Sequence, residues 1–211
     1  MRVLFIANGI ISESGAQVIG GGEVRFIEIA KRWISRGIEV QILTTEAGRE
    51  LCKKLGLNTD FHIISAGTGT LTDYMITFLK SRFISLIKKF DGILYSTTEH
   101  FYDCAPAFKL RKNSPLWVAV VHWIAPLARR MTRTISSLIF YMNQRQGLRY
   151  IKLRADLVLA VSEIVAEKLK EMGFNDRVQS VLCGVDYEKI REISNIGICL
   201  LYTSPSPRDR G

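Results

Sequence analysis

A chain of 211 residues, 47% hydrophobic and 23% charged, is long and apolar enough to bury a core, which excludes a disordered or fibrous protein. Lys and Arg number 29 against 20 Asp and Glu, a formal charge of +9 that suits anionic partners: nucleotides, phosphates, a membrane surface or nucleic acid. Four cysteines without CxxC spacing (Cys52, Cys104, Cys183, Cys199) and three scattered histidines argue against zinc and against a disulfide scaffold.

The chain opens on Val3-Leu4-Phe5-Ile6-Ala7, a continuous apolar run ending in Asn8-Gly9, as expected of a strand buried on both faces of a parallel sheet. A Gly- and Ser-rich loop leads to a predicted helix from Val24 to Arg36, punctuated by Gly37. Glu39 to Leu43 and the weaker Phe61 to Ser65 read as strands, Leu71 to Phe90 as a helix and Gly92 to Ser96 as a fourth strand. Phe101 to Leu110 is expected to be helical around Pro106, and Trp117 to Val121, the most β-branched run, to be a central strand. Ala128 to Lys152 reads as a long basic helix and Leu157 to Val161 as a sixth strand. Ser162 should cap a helix closed near Met172-Gly173, and Arg177 to Leu182 should form a last strand. Strand and helix in alternation predict an α/β fold with a doubly wound, mainly parallel sheet.

The longest apolar run, Pro115 to Leu127, is broken by His122 and too short to span a bilayer, and Met1-Arg2 leads into the first strand without a secretory pattern. A cytoplasmic location is expected. Aromatic and basic residues mix in 71–90 and 128–154, which leaves peripheral contact with an anionic membrane on its inner face open beside ordinary solvated helices. No nucleic-acid module accompanies the charge.

Ligands of such sheets bind beyond the carboxyl ends of the strands, so the informative residues follow strands. Gly20-Gly21-Gly22-Glu23 opens the first long helix, where bare backbone and helical N–H groups suit a phosphate. The spacing departs from GxGxxG, with Arg25 at the third glycine position, which counts against a nicotinamide enzyme. His122 follows the strongest strand and could exchange a proton with a substrate hydroxyl, or be structural. Thr97-Thr98-Glu99-His100 follows the fourth strand, with Glu99 and His100 as candidates to touch an acceptor. Ser162 and Glu163 follow the sixth, where capping alone would also explain them.

Taken in order, RVLFIANG, GGGE, RFIEIAKRWISRGIEVQILTT, VAVVHWIAP, ADLVLAVSEIVAEKLKEMGF and VLCGVDYEKI resemble the N-terminal Rossmann-like domain of family-4 glycosyltransferases of the GT-B fold, over residues 1–190. The resemblance implies sugar transfer from a nucleotide-diphosphate donor to a sugar or lipid-linked acceptor, with retained anomeric configuration and without a cofactor or required metal. It places Gly20, Gly21 and Gly22 on a loop approaching the donor diphosphate, and His122 near the reacting hydroxyl. Glu23, Ser162 and Glu163 fall along the cleft, and Gly184-Val185-Asp186 leads into an interdomain linker. The family's second domain, with its paired glutamates and basic phosphate-binding residue, has no counterpart after Asp186, so the 211-residue chain is expected to be inactive alone. Beyond Glu192 periodicity stops, and Cys199 to Asp209, CLLYTSPSPRD, resembles the translation of a sequencing-library adapter; 191–211 are expected to be a non-native or disordered tail. A free-standing binding module that docks a membrane or protein partner is the alternative.

Overall fold

The computed structural model describes residues 1–9, 21–67, 71–82, 90–114, 116–125 and 135–182. In chain order they form β1 (Arg2–Ala7), α1 (Gly21–Ser35), β2 (Glu39–Thr44), α2 (Glu46–Lys54), β3 (Asp60–Ile63), α3 (Leu71–Arg82) and β4 (Ile93–Ser96). Then come α4 (Phe101–Leu110), β5 (Leu116–Val121), α5 (Ile135–Arg154), β6 (Leu157–Ala160), α6 (Glu163–Glu171), a 3-10 turn at Asn175–Arg177 and β7 (Val178–Ser180). The strands lie in the order β3-β2-β1-β4-β5-β6-β7, and every pairing is parallel. The α/β, doubly wound sheet expected from the alternation is thus observed.

Period-2 alternation divides the interior between two faces. Val3, Phe5 and Ala7 of β1 pack under Phe26, Ile27 and Ala30 of α1, together with α2. Leu4 and Ile6 point the other way, into the layer that holds α4, α5 and α6. On the first face the Phe5 ring sits 4.8 Å from Tyr95 and 5.4 Å from Trp33, and Trp33 meets Tyr95 edge-on. Such contacts each contribute about 0.5–1.5 kcal/mol beyond burial, and they fix how α1 lies over β1 and β4. On the second face Trp117 is fully buried and its indole N–H donates to the Ser96 hydroxyl at 3.1 Å. Arg111, at the end of α4, forks onto Asp156 at 2.8 and 2.7 Å, and Asp156 also accepts the Trp117 N–H. Partial burial alone would raise the Asp156 carboxyl, but these donors hold it below its ordinary value. The joint pins α4 to the starts of β5 and β6.

Several elements differ from the sequence expectation. α2 was not anticipated; Thr45 caps it through the Gly48 N–H, and Leu51 and Cys52 are buried at helical spacing. The helix expected to reach Phe90 is described to Arg82, and Phe90 is a buried non-helical residue; 83–89 lie outside the described residues. The basic helix expected from Ala128 is α5, described from Ile135 to Arg154, with 128–134 outside the described residues. β5 is interior, but the middle strand is β4, a four-residue strand too short to advertise itself. The last strand is trimmed to Val178–Ser180, because Asn175–Arg177 is a 3-10 turn with Asn175 at φ 50°. Gly184 to Asp186 and the tail at 191–211 lie outside the described residues.

Candidate functional site

The winding reverses between β1 and β4. Helices α1 and α2 cover one face and α4 and α5 the other, so no helix fills the crevice at the carboxyl ends of these two neighbours. A cleft of about 300 Å³ opens there, bounded by Ala7 and Gly9 after β1, by Gly22 and Glu23 in the first turn of α1, by residues 97–100 after β4, and by His122 and Trp123 after β5.

The structure brings two sequence candidates together across this cleft. A Cβ built on Gly22 would stand 3.2 Å from His122 Cε1, so the imidazole lies against bare backbone at the start of α1. Nothing comparable restricts Gly21, and Gly20 lies outside the described residues. The first N–H groups of a helix carry no intrahelical partner and a partial positive charge, which favours an anion. Glu23 occupies the same turn and would compete with that anion.

His122 is held at both ends. Its backbone N–H donates to Glu99 Oε2 at 2.9 Å, and its Nε2 lies 2.9 Å from the Thr97 carbonyl oxygen. A carbonyl only accepts, so Nε2 carries the proton and Nδ1 is the acceptor nitrogen of the neutral ring. Glu99, a candidate acceptor contact, is 1% exposed and turned inward: one oxygen takes the His122 N–H and the other the Gln144 Nε2–H at 2.9 Å. His100 is buried between Tyr102 and Phe140, with ring centroids 5.4 and 4.6 Å away. Its Nε2 stands 3.9 Å from Glu99 Oε1, and its Nδ1 has no partner among the described residues. Burial lowers the His100 pKa, against the pull of Glu99 and helped by the repulsion of His122. Ser162 and Glu163 stand at the same edge of the sheet but do not line the cleft; Ser162 caps α6 by accepting the Val165 N–H at 3.3 Å.

Two further residues build the site without a signal strong enough to be singled out in the sequence. Asp103, fully buried in the first turn of α4, accepts the Asn8 N–H at 2.6 Å, the Thr98 hydroxyl at 2.6 Å and the Thr97 hydroxyl at 3.3 Å, tying the loop after β1 to the loop after β4. Burial nevertheless pushes its carboxyl up to about 7. A lone acid inside the otherwise apolar FYDCAPAF was the available clue. Gln144, also fully buried, reaches in from α5 to Glu99 and to the loop after β5. Its neighbours in sequence are mostly polar or basic, so nothing marked it as an inward residue.

A parallel sheet of this strand order, with a glycine-opened helix and an imidazole facing each other at its switch point, defines a Rossmann-like domain of the GT-B type. The chain belongs to Glycosyltransferase Family 4, whose family model matches residues 19–189. It is similar in fold to Anabaena Alr3699/HepE, whose crystal structure is in complex with UDP and glucose. The TM-score is 0.52 at 16% identity, over 94% of this chain and 50% of that one. The chain therefore spans half the length of that protein. No curated protein matches it.

Proposed function

We propose that the chain forms the acceptor-side wall of a retaining glycosyltransferase, which moves a sugar from a nucleotide-diphosphate donor to a hydroxyl of an acceptor without a metal. The observation that carries this is the placement of the His122 ring against Gly22 at the switch point. Bare backbone at the start of α1 lets a diphosphate oxygen approach the helical N–H groups closely. With Nε2–H committed to Thr97, His122 Nδ1 is left to accept a hydrogen bond from a sugar hydroxyl and orient it. Gly20 and Gly21 would extend the phosphate-facing backbone, and Glu23 and His100 would meet the acceptor. Ser162 and Glu163, at the next strand end, would border the bound sugar only where it extends past β5. Retention and metal independence rest on the family resemblance, as does the assignment of paired glutamates and a basic phosphate-binding residue to a donor-side domain encoded downstream. The 211-residue chain, offered nucleotide sugars with saccharide or lipid-linked acceptors, is expected to transfer nothing, whereas the chain extended through its downstream sequence is expected to turn over. Robust transfer by the 211 residues alone would overturn this division of labour.

The acceptor is read as lipid-linked or part of an envelope polysaccharide, met at the inner face of the cytoplasmic membrane. Among the described residues no helix is long and apolar enough to cross a membrane. Instead, α3 exposes Met75, Ile76 and Leu79, and α5 exposes Leu138 and Met142. Lys80 lies at the end of the first group and Arg145 and Arg149 follow the second, the mixture that favours an anionic lipid surface. Co-sedimentation with vesicles containing anionic phospholipid should exceed that with zwitterionic vesicles and fall with salt; equal pelleting with both would remove the membrane from this proposal.

A further inference from the structure

Three positions on one side of α5 touch the two loops that carry the cleft. Asn143 Oδ1 accepts the Phe101 N–H at 2.5 Å, at the start of α4. Gln144 is completely buried, and each of its amide atoms has a partner. Nε2 donates to Glu99 Oε1 at 2.9 Å and to the Trp123 carbonyl at 3.0 Å, while Oε1 accepts the Ala125 N–H at 2.8 Å. At Gly147, one turn further on, a Cβ would overlap the Glu99 carbonyl oxygen, so the helix backbone itself is seated on the loop after β4.

We infer that Gln144 is a positioning residue for His122, acting through Glu99 on one side and through the 123–125 loop on the other. The chain of contacts is short: Gln144 fixes the Glu99 carboxylate, whose second oxygen holds the His122 N–H, and it also holds the Trp123 carbonyl and the Ala125 N–H in the loop after His122. The two routes bracket His122, one ending on its own N–H and the other on the loop that follows it. The ring then has a single placement, with its Nε2–H on Thr97, which in the neutral ring leaves Nδ1 as the acceptor. Only a carboxamide meets this need. A carboxylate at position 144 would place acceptor against acceptor at Glu99 Oε1, and an apolar side chain would leave the Glu99 oxygen, the Trp123 carbonyl and the Ala125 N–H buried without partners. The inference rests on the function proposed above for what the imidazole does, but not for how it is held, and its test uses no sugar, so the two can fail separately.

Long-range proton–nitrogen NMR of the histidine rings in the 211-residue chain, at a pH above the ordinary histidine range, reads which ring nitrogen carries the proton. His122 should show one tautomer with widely separated nitrogen resonances. In Gln144→Met, near in size but without the hydrogen bonds, those resonances should move toward a common averaged position. His62, on the edge strand β3 with its Nε2 3.1 Å from Gln41, should stay unchanged. Cys52→Ala, at an equally buried site on the inner side of α2 over the opposite face of the sheet, should lower stability without moving His122. The exchange Glu99→Gln with Gln144→Glu restores a donor facing an acceptor across the pair, though not the donor to the Trp123 carbonyl, and should draw His122 part of the way back toward its native pattern. Unchanged His122 resonances in Gln144→Met would overturn the inference. So would loss of the native His62 resonance in both the single variant and the exchange, which would make Gln144 a residue required for folding and not for placement.

Discussion

Gly147→Ala is expected to destabilise the domain by about 2–3 kcal/mol, although the residue lies in the interior of α5, where helix propensity alone predicts a gain of about 1 kcal/mol. The sign is reversed by what the methyl group would meet. Its closest neighbour is the Glu99 carbonyl oxygen, followed by the His100 carbonyl carbon at 2.9 Å, and both are backbone. A side chain can rotate away from an intruding methyl, but a peptide between β4 and α4 can move only if the helix or the loop moves. Overpacking of that kind typically costs 1–3 kcal/mol and occasionally more. The loop in question carries Thr97 and Glu99, the two partners of His122, so the strain falls on the cleft. Urea unfolding of the chain should show a lower midpoint at an unchanged slope. A variant more stable than the parent would mean that α5 is not seated on the loop as described.

The second large effect is a pH dependence centred on Asp103. Burial raises its carboxyl from 3.8 to about 7 despite the Thr98, Asn8 and Thr97 donors, which pull the other way, and with a smaller upward push from Glu99. Between these values the folded chain holds a proton that the unfolded chain has released, so stability declines as pH rises and levels off above about 7. From about pH 5 to about pH 8 the loss is on the order of 2–3 kcal/mol. His100 acts in the opposite direction, because its lowered pKa leaves the unfolded ring the better proton acceptor and makes acidification destabilising. The clean observable is therefore the difference between the parent and Asp103→Asn, in which the Asn8 N–H keeps its acceptor and the two hydroxyls can reorient. The variant should gain on the parent steadily with rising pH. A flat difference would mean that the three donors hold Asp103 ionised throughout.

The legibility of this chain follows from where each signal resides. Buried parallel strands announce themselves as short apolar runs, so β1, β2, β5 and β6 stand out in sequence and with them the α/β winding. The capped helix α6 was equally plain, since Ser162 and the closing Gly173 bracket an amphipathic segment. α2 was missed because its polar surface masks a narrow apolar stripe made chiefly of Leu51 and Cys52. At the site, position after a strand points to Glu99, His100 and His122, which line the cleft, and equally to Ser162 and Glu163, which do not; Gly22 is marked by the glycine run that opens a helix. What each residue does there was not legible. Glu99 and His100 were nominated together as acceptor contacts, yet one carboxylate is spent on the His122 N–H and the Gln144 amide while the neighbouring imidazole keeps a buried nitrogen without a partner among the described residues. Those roles come from α5, an element more than 40 residues further along, whose inward face no local pattern predicts.

Sugar transfer by the proposed enzyme with its donor-side domain, compared with the same protein carrying His122→Ala, tests the central claim most directly. If the imidazole lying against Gly22 orients the reacting hydroxyl, the variant should fold, bind nucleotide sugar and lose at least about 100-fold in turnover, the size expected for a positioned acid–base or orienting group. Turnover within a few-fold of the parent would place the chemistry elsewhere and leave His122 a structural residue of the β5 loop.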